Sequence, residues 1–263
     1  MHQLILVEGL PCSGKSTTAK HIADTLHIQY YDENSGIHPA DYEYHAHLTE
    51  SALNTFPEPD RKEIMQRAEP ECGGYTVPLA QFQGTLLEKL LQYKIYDALP
   101  WETEHPVMLN KWRKFVSSVK PDERFVFNCV FLQNPMCETM LRFGFHAEQS
   151  AAYIREIADT IRPLHPLVIY LKSDSIERNV TRIIEERGSE WLQNVVQYHC
   201  GGEYGKRHAL HGFSGYTAAL AERQTRELAI LEGLDIDRII LEHPQKNWAR
   251  TYQDILHNKE YPL

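Results

Sequence analysis

Residues 4–26 read LILVEGLPCSGKSTTAKHIADTL, and this stretch decides the fold. Residues 4–7 form a short apolar run that is typical of a buried strand, and Glu8 and Gly9 end it. From Lys15 onward, apolar side chains recur at helical spacing and predict a helix with one buried face: Ala19, Ile22, Ala23 and Leu26. The sequence therefore predicts a strand, a glycine-containing loop and a helix, in that order.

The loop at residues 9–16 fits the pattern G-x-x-x-x-G-K-[ST] at every fixed position. Its glycines let backbone N–H groups curl around an anion, and the following helix adds unpaired donors and the positive end of its dipole. This chemistry predicts a nucleoside triphosphate, with Lys15 at the β- and γ-phosphates and the Ser16 hydroxyl on Mg²⁺. We therefore expect ATP and Mg²⁺ as cofactors, bound by the loop and the first helical turn: Gly9, Pro11, Cys12, Ser13, Gly14, Lys15, Ser16 and Thr17.

Length and composition restrict the class of protein. The chain has 263 residues, of which 42% are hydrophobic, enough for one large α/β domain or two small ones. A net charge of -9 argues against a nucleic acid polymer as partner, because such binding needs a basic face. No apolar run is long enough to predict a membrane span, and Glu8 interrupts the apolar start before a signal-peptide core could form. Five cysteines without a framework spacing suit reduced thiols, so the sequence predicts a cytoplasmic protein.

Four further apolar runs predict strands, at residues 28–33, 124–132, 166–171 and 238–242. Helical spacing predicts helices at residues 79–94 and 147–161. A third helix is predicted from Ile176, with Asp174 and Glu177 as its capping pair. A fourth is predicted to end at Gly233. Five strands joined by crossover helices predict an α/β fold with a doubly wound five-stranded parallel sheet, whose ligands bind at the carboxyl ends of the strands. Residues 38–120 are too long for one crossover and predict a helical insertion between strands two and three, within a single domain spanning residues 1–263.

In three places the chain resembles the P-loop kinase superfamily that contains thymidylate kinase and the deoxynucleoside kinases. These are the whole loop at residues 9–16, an acidic residue at the end of the second strand, and VIYLKSDSIERNVTRIIEERG at residues 168–188. The resemblance implies a P-loop NTPase fold, an acidic residue that faces the acceptor hydroxyl, and an arginine-bearing lid over the triphosphate. The chain departs from these kinases after strand three, where they carry an acidic–arginine pair. It reads FNCVFLQNPMCETM there, with Asn128, Gln133 and Asn134, and the first arginine is Arg142.

Three arginines are the candidates for that lid. Arg178 and Arg182 stand four residues apart on one helix face, and Arg187 ends the same segment beside Gly188. Phosphoryl transfer is catalysed largely by positioning and by cations around the transferring group, which is the chemistry that an arginine cluster supplies. The alternative is an ordinary solvated helix face on which these arginines pair with neighbouring glutamates.

Asp32 and Glu33 end the second strand and are the candidates for acceptor chemistry. A carboxylate in that place can accept the hydroxyl proton of an acceptor or hold Mg²⁺. The alternative is a plain turn, since Asn34, Ser35 and Gly36 are ordinary loop formers. The sequence does not rank the two carboxylates.

A segment with histidines and a cysteine follows the lid candidate. His199, Cys200, His208 and His211 are ligand types for zinc, but their spacing matches no familiar site. The glycines of residues 201–215 favour a mobile connection that closes over a substrate. We therefore expect residues 172–215 to form a lid and a mobile connection.

These features favour ATP-dependent phosphoryl transfer to a small-molecule acceptor, with a nucleoside or nucleotide as the first candidate. Another small molecule, such as a sugar, a cofactor precursor or an antibiotic, is the alternative acceptor. An NTP-binding regulatory switch with slow hydrolysis is the alternative class, and the missing acidic–arginine pair favours it. The sequence leaves the oligomeric state open, a homo-oligomer included.

Overall fold

The computed structural model describes residues 1–33 and 36–263. Within these residues the chain forms eight strands: β1 Leu4–Gly9, β2 Gln29–Tyr31, β3 His45–Thr49, β4 Glu69–Glu71, β5 Gly74–Pro78, β6 Phe125–Asn128, β7 Leu167–Lys172 and β8 Asp237–Glu242. The same residues form twelve α-helices: α1 Lys15–Leu26, α2 Glu50–Leu53, α3 Glu58–Met65, α4 Gly84–Leu91, α5 Ile95–Ala98, α6 Trp101–Ser118, α7 Gln133–Met136, α8 Ala147–Ile161, α9 Ile176–Cys200, α10 Glu203–Arg207, α11 Gly212–Glu232 and α12 Trp248–Leu256. A π-helical stretch, Cys137–Arg142, continues α7, and 3₁₀ turns lie at Leu79–Gln81, Arg162–Leu164 and Pro244–Lys246. None of the described helices is both long enough and apolar enough to cross a membrane.

The chain divides into two compact units. The sheet unit comprises residues 1–32 and 119–263, and the insertion unit comprises residues 33–118. The insertion expected at residues 38–120 begins five residues after the start of the insertion unit and ends two residues after its end, and its boundaries stay a prediction. The interpretation of the whole chain as a single domain stays a prediction.

The sheet unit contains the predicted five-stranded parallel sheet, with the strand order β2-β6-β1-β7-β8. β1 lies at its centre and pairs in parallel with β6 on one side and with β7 on the other. Every residue of β1 and β6 is buried, as expected for parallel strands, whose two faces are both covered. The fold-class prediction is confirmed, because this is an α/β protein with a strand order typical of P-loop NTPases.

The carboxyl ends of β2, β6 and β1 are neighbours in this sheet. β1 ends at Gly9 and leads into the loop before α1, β6 ends at Asn128, and Asp32 follows β2 directly. Side chains that are far apart in the sequence are thereby placed along one edge of the sheet.

Two predicted strands are shorter in the structure. β2 covers three of the residues predicted at 28–33. β6 ends at Asn128, because Cys129 takes a left-handed backbone conformation, with φ 70°, which a strand does not accommodate. The remaining three strands of the parallel sheet lie where the apolar runs predicted them.

The helix predictions have mixed outcomes. The helix predicted at residues 79–94 is divided into a 3₁₀ turn and α4, which begins at Gly84 with φ 58°. α9 begins after Ser175, and no side chain caps it, so the predicted Asp174–Glu177 capping pair is wrong. By contrast, α8 spans the predicted residues, and Gly233 ends α11 as predicted.

The insertion unit contains a three-stranded antiparallel sheet with the order β3-β5-β4. An apolar cluster packs this sheet with its neighbouring helices: Ala46, Leu48, Leu53, Phe56, Ile64, Val77, Leu79, Phe82 and Leu90. The sequence predicted helices alone in this region, so the sheet is a correction. Its strands give a weak signal, because β4 has three residues with a proline in the middle and β3 carries two histidines.

A charged pair is buried inside the sheet unit. Arg223 and Glu227 lie one turn apart on α11 and are both fully buried, with the arginine Nε 3.0 Å from Glu227 Oε1. Tyr170 on β7 donates its hydroxyl to Glu227 Oε2 at 2.6 Å, and Arg223 Nη1 lies 3.4 Å from Cys137 Sγ. A buried charge is costly unless a partner compensates it, so this pair ties α11 to β7 and to the helix after β6.

Replacing Arg223 by methionine should leave the Glu227 carboxylate buried without its cation. We expect Arg223→Met to lower the free energy of unfolding by about 3–5 kcal/mol. Arg223→Met combined with Glu227→Leu removes both charges and should recover most of that loss in urea unfolding. A double variant that is no more stable than the single one would contradict this explanation.

Candidate active site

The loop between β1 and α1, here called the phosphate loop (residues 9–16), has a backbone that requires glycine at two positions. Gly9 has φ 143°, and a Cβ there would lie 2.6 Å from the carbonyl oxygen of Leu171 on β7. Gly14 has φ 95°, and a Cβ there would lie 2.5 Å from the Trp248 ring of α12. The motif glycines are therefore required by the close approach of β7 and α12 as well as by the turn itself.

Lys15 begins α1 and is turned back into the phosphate loop. It is buried, and its Nζ donates to the carbonyl oxygen of Leu10 at 2.8 Å. The backbone N–H of Ser13 donates to the same oxygen at 3.2 Å, which closes the loop on itself. Within the described residues, the buried hydroxyl of Ser13 has no hydrogen-bond partner. An ammonium and an unpaired hydroxyl beside a helix N-terminus are groups that a bound anion would satisfy.

Ser16, Asn128 and Asp32 are joined by hydrogen bonds. Asn128 Nδ2 donates to Ser16 Oγ and to Asp32 Oδ1, each at 2.9 Å. Asn128 is fully buried, and its Oδ1 has no hydrogen-bond partner among the described residues. A hydroxyl, a carboxylate and an unpaired amide oxygen are oxygen donors of the kind that Mg²⁺ prefers, so these residues fit a magnesium ion. The structure thus brings together the predicted residues Ser16 and Asp32, and adds Asn128 between them.

Glu8 belongs to the same edge of the sheet and was missed as a site residue. It is fully buried and accepts the backbone N–H of Phe131 at 2.8 Å and that of Gln133 at 3.2 Å. Burial, and then the negative charge of Glu227, raise the pKa of Glu8 to about 7, while the backbone N–H groups act in the opposite direction. Glu8 fixes the chain after β6 against the start of the phosphate loop. A glutamate at the end of an apolar run, directly before Gly9, was the available signal.

The three candidate lid arginines lie on the first part of α9, which is broken at Gly188 with φ 86° and ψ 176°. All three are exposed. Burial raises the pKa of the Cys12 thiol in the phosphate loop, and nearby positive charges oppose that rise. These charges belong to Lys15, Arg187 and Arg182. Two of the lid arginines are therefore close enough for their charges to act on the phosphate loop.

A cavity of about 200 Å³ lies beside the phosphate loop. Residues 172–175 at the end of β7, residues 243–246 and Arg178 are among those that line it. Gln245 donates its side-chain amide to the carbonyl oxygen of Cys12 at 2.8 Å, which ties this segment to the loop. Two of the candidate lid arginines, Arg178 and Arg182, thus line a cavity next to the phosphate loop.

The structure does not place every predicted residue in the sheet unit. Glu33 begins the insertion unit, whereas Asp32 ends the first segment of the sheet unit. The alternative role of this segment, a plain turn, involves Asn34 and Ser35, which lie outside the described residues. Pro11 and Thr17 lie where the motif predicts them, in the loop and in the first turn of α1.

His199 and Cys200 end α9 in the core rather than at the surface. The His199 ring lies 5.0 Å from the ring of Tyr216, and burial, followed by the charge of Arg223, lowers its pKa to about 3. His208 is exposed. Among the described residues, no group of three histidine, cysteine, aspartate or glutamate side chains could hold a metal ion. These contacts indicate a neutral core histidine at position 199.

The glycines of residues 201–215 have a packing role. A Cβ at Gly201, Gly202 or Gly205 would collide with a backbone carbonyl oxygen. The oxygens concerned belong to Gln197, Leu141 and Cys200. Glycine therefore permits close approach between α9, α10 and the helix after β6, and the mobility of this segment stays a prediction.

An acidic–arginine pair does follow β6, further along the chain than expected. Arg142 Nη1 lies 2.5 Å from the carboxylate of Glu138, on the π-helical stretch that continues α7. Glu138 is buried. The residues directly after β6 thus lack such a pair among the described residues, whereas the helix that follows them contains one.

Comparisons with known proteins found similar solved structures. No protein-family model and no curated protein sequence matches the chain. YorR protein from Bacillus subtilis, in complex with phosphorylated GDP, is 14% identical with a TM-score of 0.44, over 98% of this chain and 95% of that chain. Deoxyadenosine kinase from M. mycoides with bound dATP is 15% identical with a TM-score of 0.45, over 99% and 100% of the two chains. Thymidylate kinase from Candida albicans is 14% identical with a TM-score of 0.42, over 98% and 92%. These similarities extend over nearly the full length of each chain, at low sequence identity.

The raised pKa of Glu8 predicts a specific pH dependence of stability. Because the pKa in the folded protein, about 7, lies above the ordinary carboxyl value, the folded state holds the Glu8 proton more tightly than the unfolded state. This contribution is complete at acidic pH and is lost as the pH rises through about 7. We therefore expect the free energy of unfolding of the wild type to fall by roughly 3 kcal/mol relative to that of Glu8→Gln as the pH rises from acidic values to above 7. Urea unfolding of both proteins across a pH series measures this difference. Parallel curves for the two proteins would contradict the assignment.

Proposed function

We propose that this protein transfers the γ-phosphoryl group of ATP to a small-molecule acceptor, with a nucleoside or nucleotide as the first candidate. The observation that supports it most is the array at the carboxyl ends of β1, β6 and β2. There Asn128 joins Ser16, the last residue of the phosphate loop, to Asp32 through two hydrogen bonds of 2.9 Å. A phosphate-binding loop beside a hydroxyl and a carboxylate is the arrangement that metal-assisted phosphoryl transfer needs.

The phosphate loop would hold the triphosphate. Backbone N–H groups of residues 9–16 would surround the phosphates, and the Ser13 hydroxyl, which has no partner among the described residues, would donate to a phosphate oxygen. Lys15 would exchange its bond to the Leu10 carbonyl oxygen for bonds to the β- and γ-phosphates. Ser16 and Asp32 would hold Mg²⁺, which when bound neutralises charge on those phosphates.

The transfer step needs a proton acceptor and positive charge. An acceptor hydroxyl would give its proton to a carboxylate that ends β2, and its oxygen would form a bond to the γ-phosphorus as the bond to the β–γ bridging oxygen breaks and ADP leaves. Asp32 and Glu33 are the candidates for that carboxylate. Arg182 and Arg187, whose charges already reach the phosphate loop, would stabilise the migrating phosphoryl group.

The cavity beside the phosphate loop suits the nucleoside part of ATP. Gln245, which lines the cavity, donates a hydrogen bond to the carbonyl oxygen of Cys12 in the phosphate loop. Arg178 also lines the cavity. A guanidinium group is planar and stacks on aromatic rings, so Arg178 is proposed to pack against the adenine. Arg182 lines the same cavity, so it borders both this cavity and the phosphate loop.

An NTP-binding switch with slow hydrolysis is the second candidate function. The residues directly after β6 are uncharged up to Glu138, and the strand itself ends in the amide of Asn128. An uncharged segment after β6 would activate an attacking group less than a carboxylate there would, which suits a switch.

A ligand panel separates the two functions. The chain would be mixed with Mg²⁺ and a non-hydrolysable ATP analogue, and its thermal unfolding measured with nucleosides, nucleotides, sugars and other small alcohols. A rise in melting temperature with one acceptor class supports transfer and names the acceptor, since a ligand that binds the folded state stabilises it. A rise with the analogue alone, and with no acceptor, supports the switch.

Lys15→Ala should abolish Mg-ATP turnover while the chain stays folded. The ammonium acts on phosphate charge, and its hydrogen bond in the structure is to the backbone of the loop itself. Lys20→Ala, which removes an exposed lysine from the same helix, is the matched control and should retain turnover. Steady-state kinetics and thermal unfolding of both variants check this, and normal turnover by a folded Lys15→Ala protein would reject the assignment.

Arg182→Ala or Arg187→Ala should lower the turnover number far more than the affinity for ATP. The charge is needed most when the phosphoryl group is held fully by neither oxygen, so the cost should be on the order of a thousandfold for at least one of the two. Arg155→Ala, an exposed arginine of α8, is the control. Turnover numbers and ATP dissociation constants would be measured for each variant, and near-normal turnover in both lid variants would favour the switch.

A further inference from the structure

The turn at the start of the phosphate loop has a backbone conformation that is unusual for its residue type. The N–H of Ser13 donates to the carbonyl oxygen of Leu10 at 3.2 Å. Pro11 and Cys12 lie between them, and Cys12 has φ 67°. These are the features of a type II turn, whose third position is usually glycine or asparagine because a side chain is disfavoured at positive φ. Cys12 therefore has to be held in this conformation by contacts from outside the turn.

Gln245 supplies one such contact. It lies in the 3₁₀ turn that follows β8, and its side-chain amide donates to the carbonyl oxygen of Cys12 at 2.8 Å. A trans peptide is planar, and its C=O and N–H point in opposite directions. The oxygen that Gln245 binds and the N–H of Ser13 that closes the turn belong to the same peptide. Gln245 therefore fixes the peptide plane on which the turn depends.

Trp248 contacts a second position of positive φ in the phosphate loop. Gly14 has φ 95°, and the ring of Trp248 occupies the space where a side chain would begin. This ring stacks on the ring of Tyr252, with 5.7 Å between the centroids, and Tyr252 stacks on His21 of α1 at 4.1 Å. The row of rings joins α12 to α1, the helix that follows the phosphate loop. Trp248 thus closes the side of the loop that faces α12.

Gln245 and Trp248 belong to one hydrogen-bonded piece of chain. Thr251 is buried and donates its hydroxyl to the carbonyl oxygen of Pro244 at 2.9 Å, which joins the 3₁₀ turn to α12. Asn247 caps α12, because its side chain accepts a backbone N–H of the first turn at 3.1 Å. The two contacts to the phosphate loop therefore come from a single ordered segment.

We infer that residues 244–248, here called the clamp, hold the phosphate loop in the conformation that receives the triphosphate, with Gln245 and Trp248 as positioning residues. The inference rests on the proposed function, because the triphosphate is the ligand which that function assigns to the loop. A site of backbone N–H groups loses affinity when its donors have to be ordered on binding. The clamp also helps to line the cavity proposed for the nucleoside, but its two contacts with the loop act on the loop backbone itself.

Inorganic tripolyphosphate with Mg²⁺ is the probe, because it carries three linked phosphates and no nucleoside. Its dissociation constant, and that of a non-hydrolysable ATP analogue, would be measured by calorimetry with the whole chain. Gln245→Ala should weaken tripolyphosphate binding by about tenfold, the effect of losing one net hydrogen bond that orders the loop. Gln253→Ala removes the same type of side chain from an exposed position of α12 and should bind tripolyphosphate like the wild type.

Trp248→Leu tests the second contact. Leucine keeps an apolar side chain on α12 but lacks the ring that lies against Gly14. We expect a loss of tripolyphosphate affinity of similar size, in a protein whose ligand-free thermal unfolding shows that it is folded. If Trp248→Leu does not fold, the comparison of Gln245→Ala with Gln253→Ala decides the question.

Cys12→Gly separates the setting of the loop from a general structural role of Gln245. Glycine takes a positive φ without the steric cost of a Cβ, so the turn no longer needs an outside contact to hold that angle. Adding Cys12→Gly to Gln245→Ala should therefore recover most of the lost tripolyphosphate affinity. A folded double variant that binds tripolyphosphate no more tightly than Gln245→Ala would overturn the positioning role of Gln245.

The remaining results also decide the inference. If folded Gln245→Ala and Trp248→Leu bind tripolyphosphate like the wild type and only the ATP analogue more weakly, the clamp serves the nucleoside alone, and the inference is wrong while the proposed function stands. If the wild type binds the analogue but not tripolyphosphate, the loop is not set for phosphate in advance, and the inference is again wrong. If the wild type binds neither, the proposed function fails, and this inference fails with it.

Discussion

The backbone of the phosphate loop is the constraint on which the rest of the structure depends. β7 pairs with β1 as far as Gly9, opposite Leu171, and that pairing leaves no room for a side chain at Gly9. On the other side of the loop, the Trp248 ring of α12 fills the space that a side chain at Gly14 would need. The loop is therefore held between a central strand and the last helix. A site built from backbone N–H groups needs this rigidity, because its donors must point at the anion before it binds.

The charges buried beneath the loop are not balanced in pairs. Glu8 and Glu227 interact unfavourably, and Arg223 is the buried cation that faces Glu227. As a result, the pKa of Glu8 is raised to about 7. Protonation of Glu8 can then remove the negative charge that a second buried cation would otherwise have to balance. Glu8 directly precedes Gly9, and a polyanion bound to the loop would favour the protonated form further. Protonation of Glu8 would therefore be coupled to the binding of a polyanion at the loop.

The sequence predicted the elements whose signals are local. The G-x-x-x-x-G-K-[ST] pattern identified the turn after β1, and helical spacing located α8 and the end of α11 at Gly233. The contacts that complete the site are not local. Asn128 lies 112 residues from Ser16 and 96 from Asp32, and the register of three strands brings them together. Spacing within a sequence carries no register, so the bridging role of Asn128 and the backbone bonds of Glu8 were beyond reach. The sheet of the insertion unit was missed because its strands are short and polar.

The candidate lid arginines illustrate why a phosphate site would keep part of its charge at the surface. Arg182 and Arg187 are exposed, and water screens most of the effect of their charges on the loop. Burying them permanently would cost a large desolvation penalty, whereas exposed arginines are held at little cost. The break at Gly188 directly follows Arg187, and a Cβ there would meet no neighbouring atom, so the backbone angles at this point are not constrained by packing. As a lid, the part of α9 before Gly188 would bring its arginines to the phosphates when the site closes. Their electrostatic stabilisation of the phosphates would increase as water is excluded. The cost of desolvating them would then arise only when a phosphate is present to offset it.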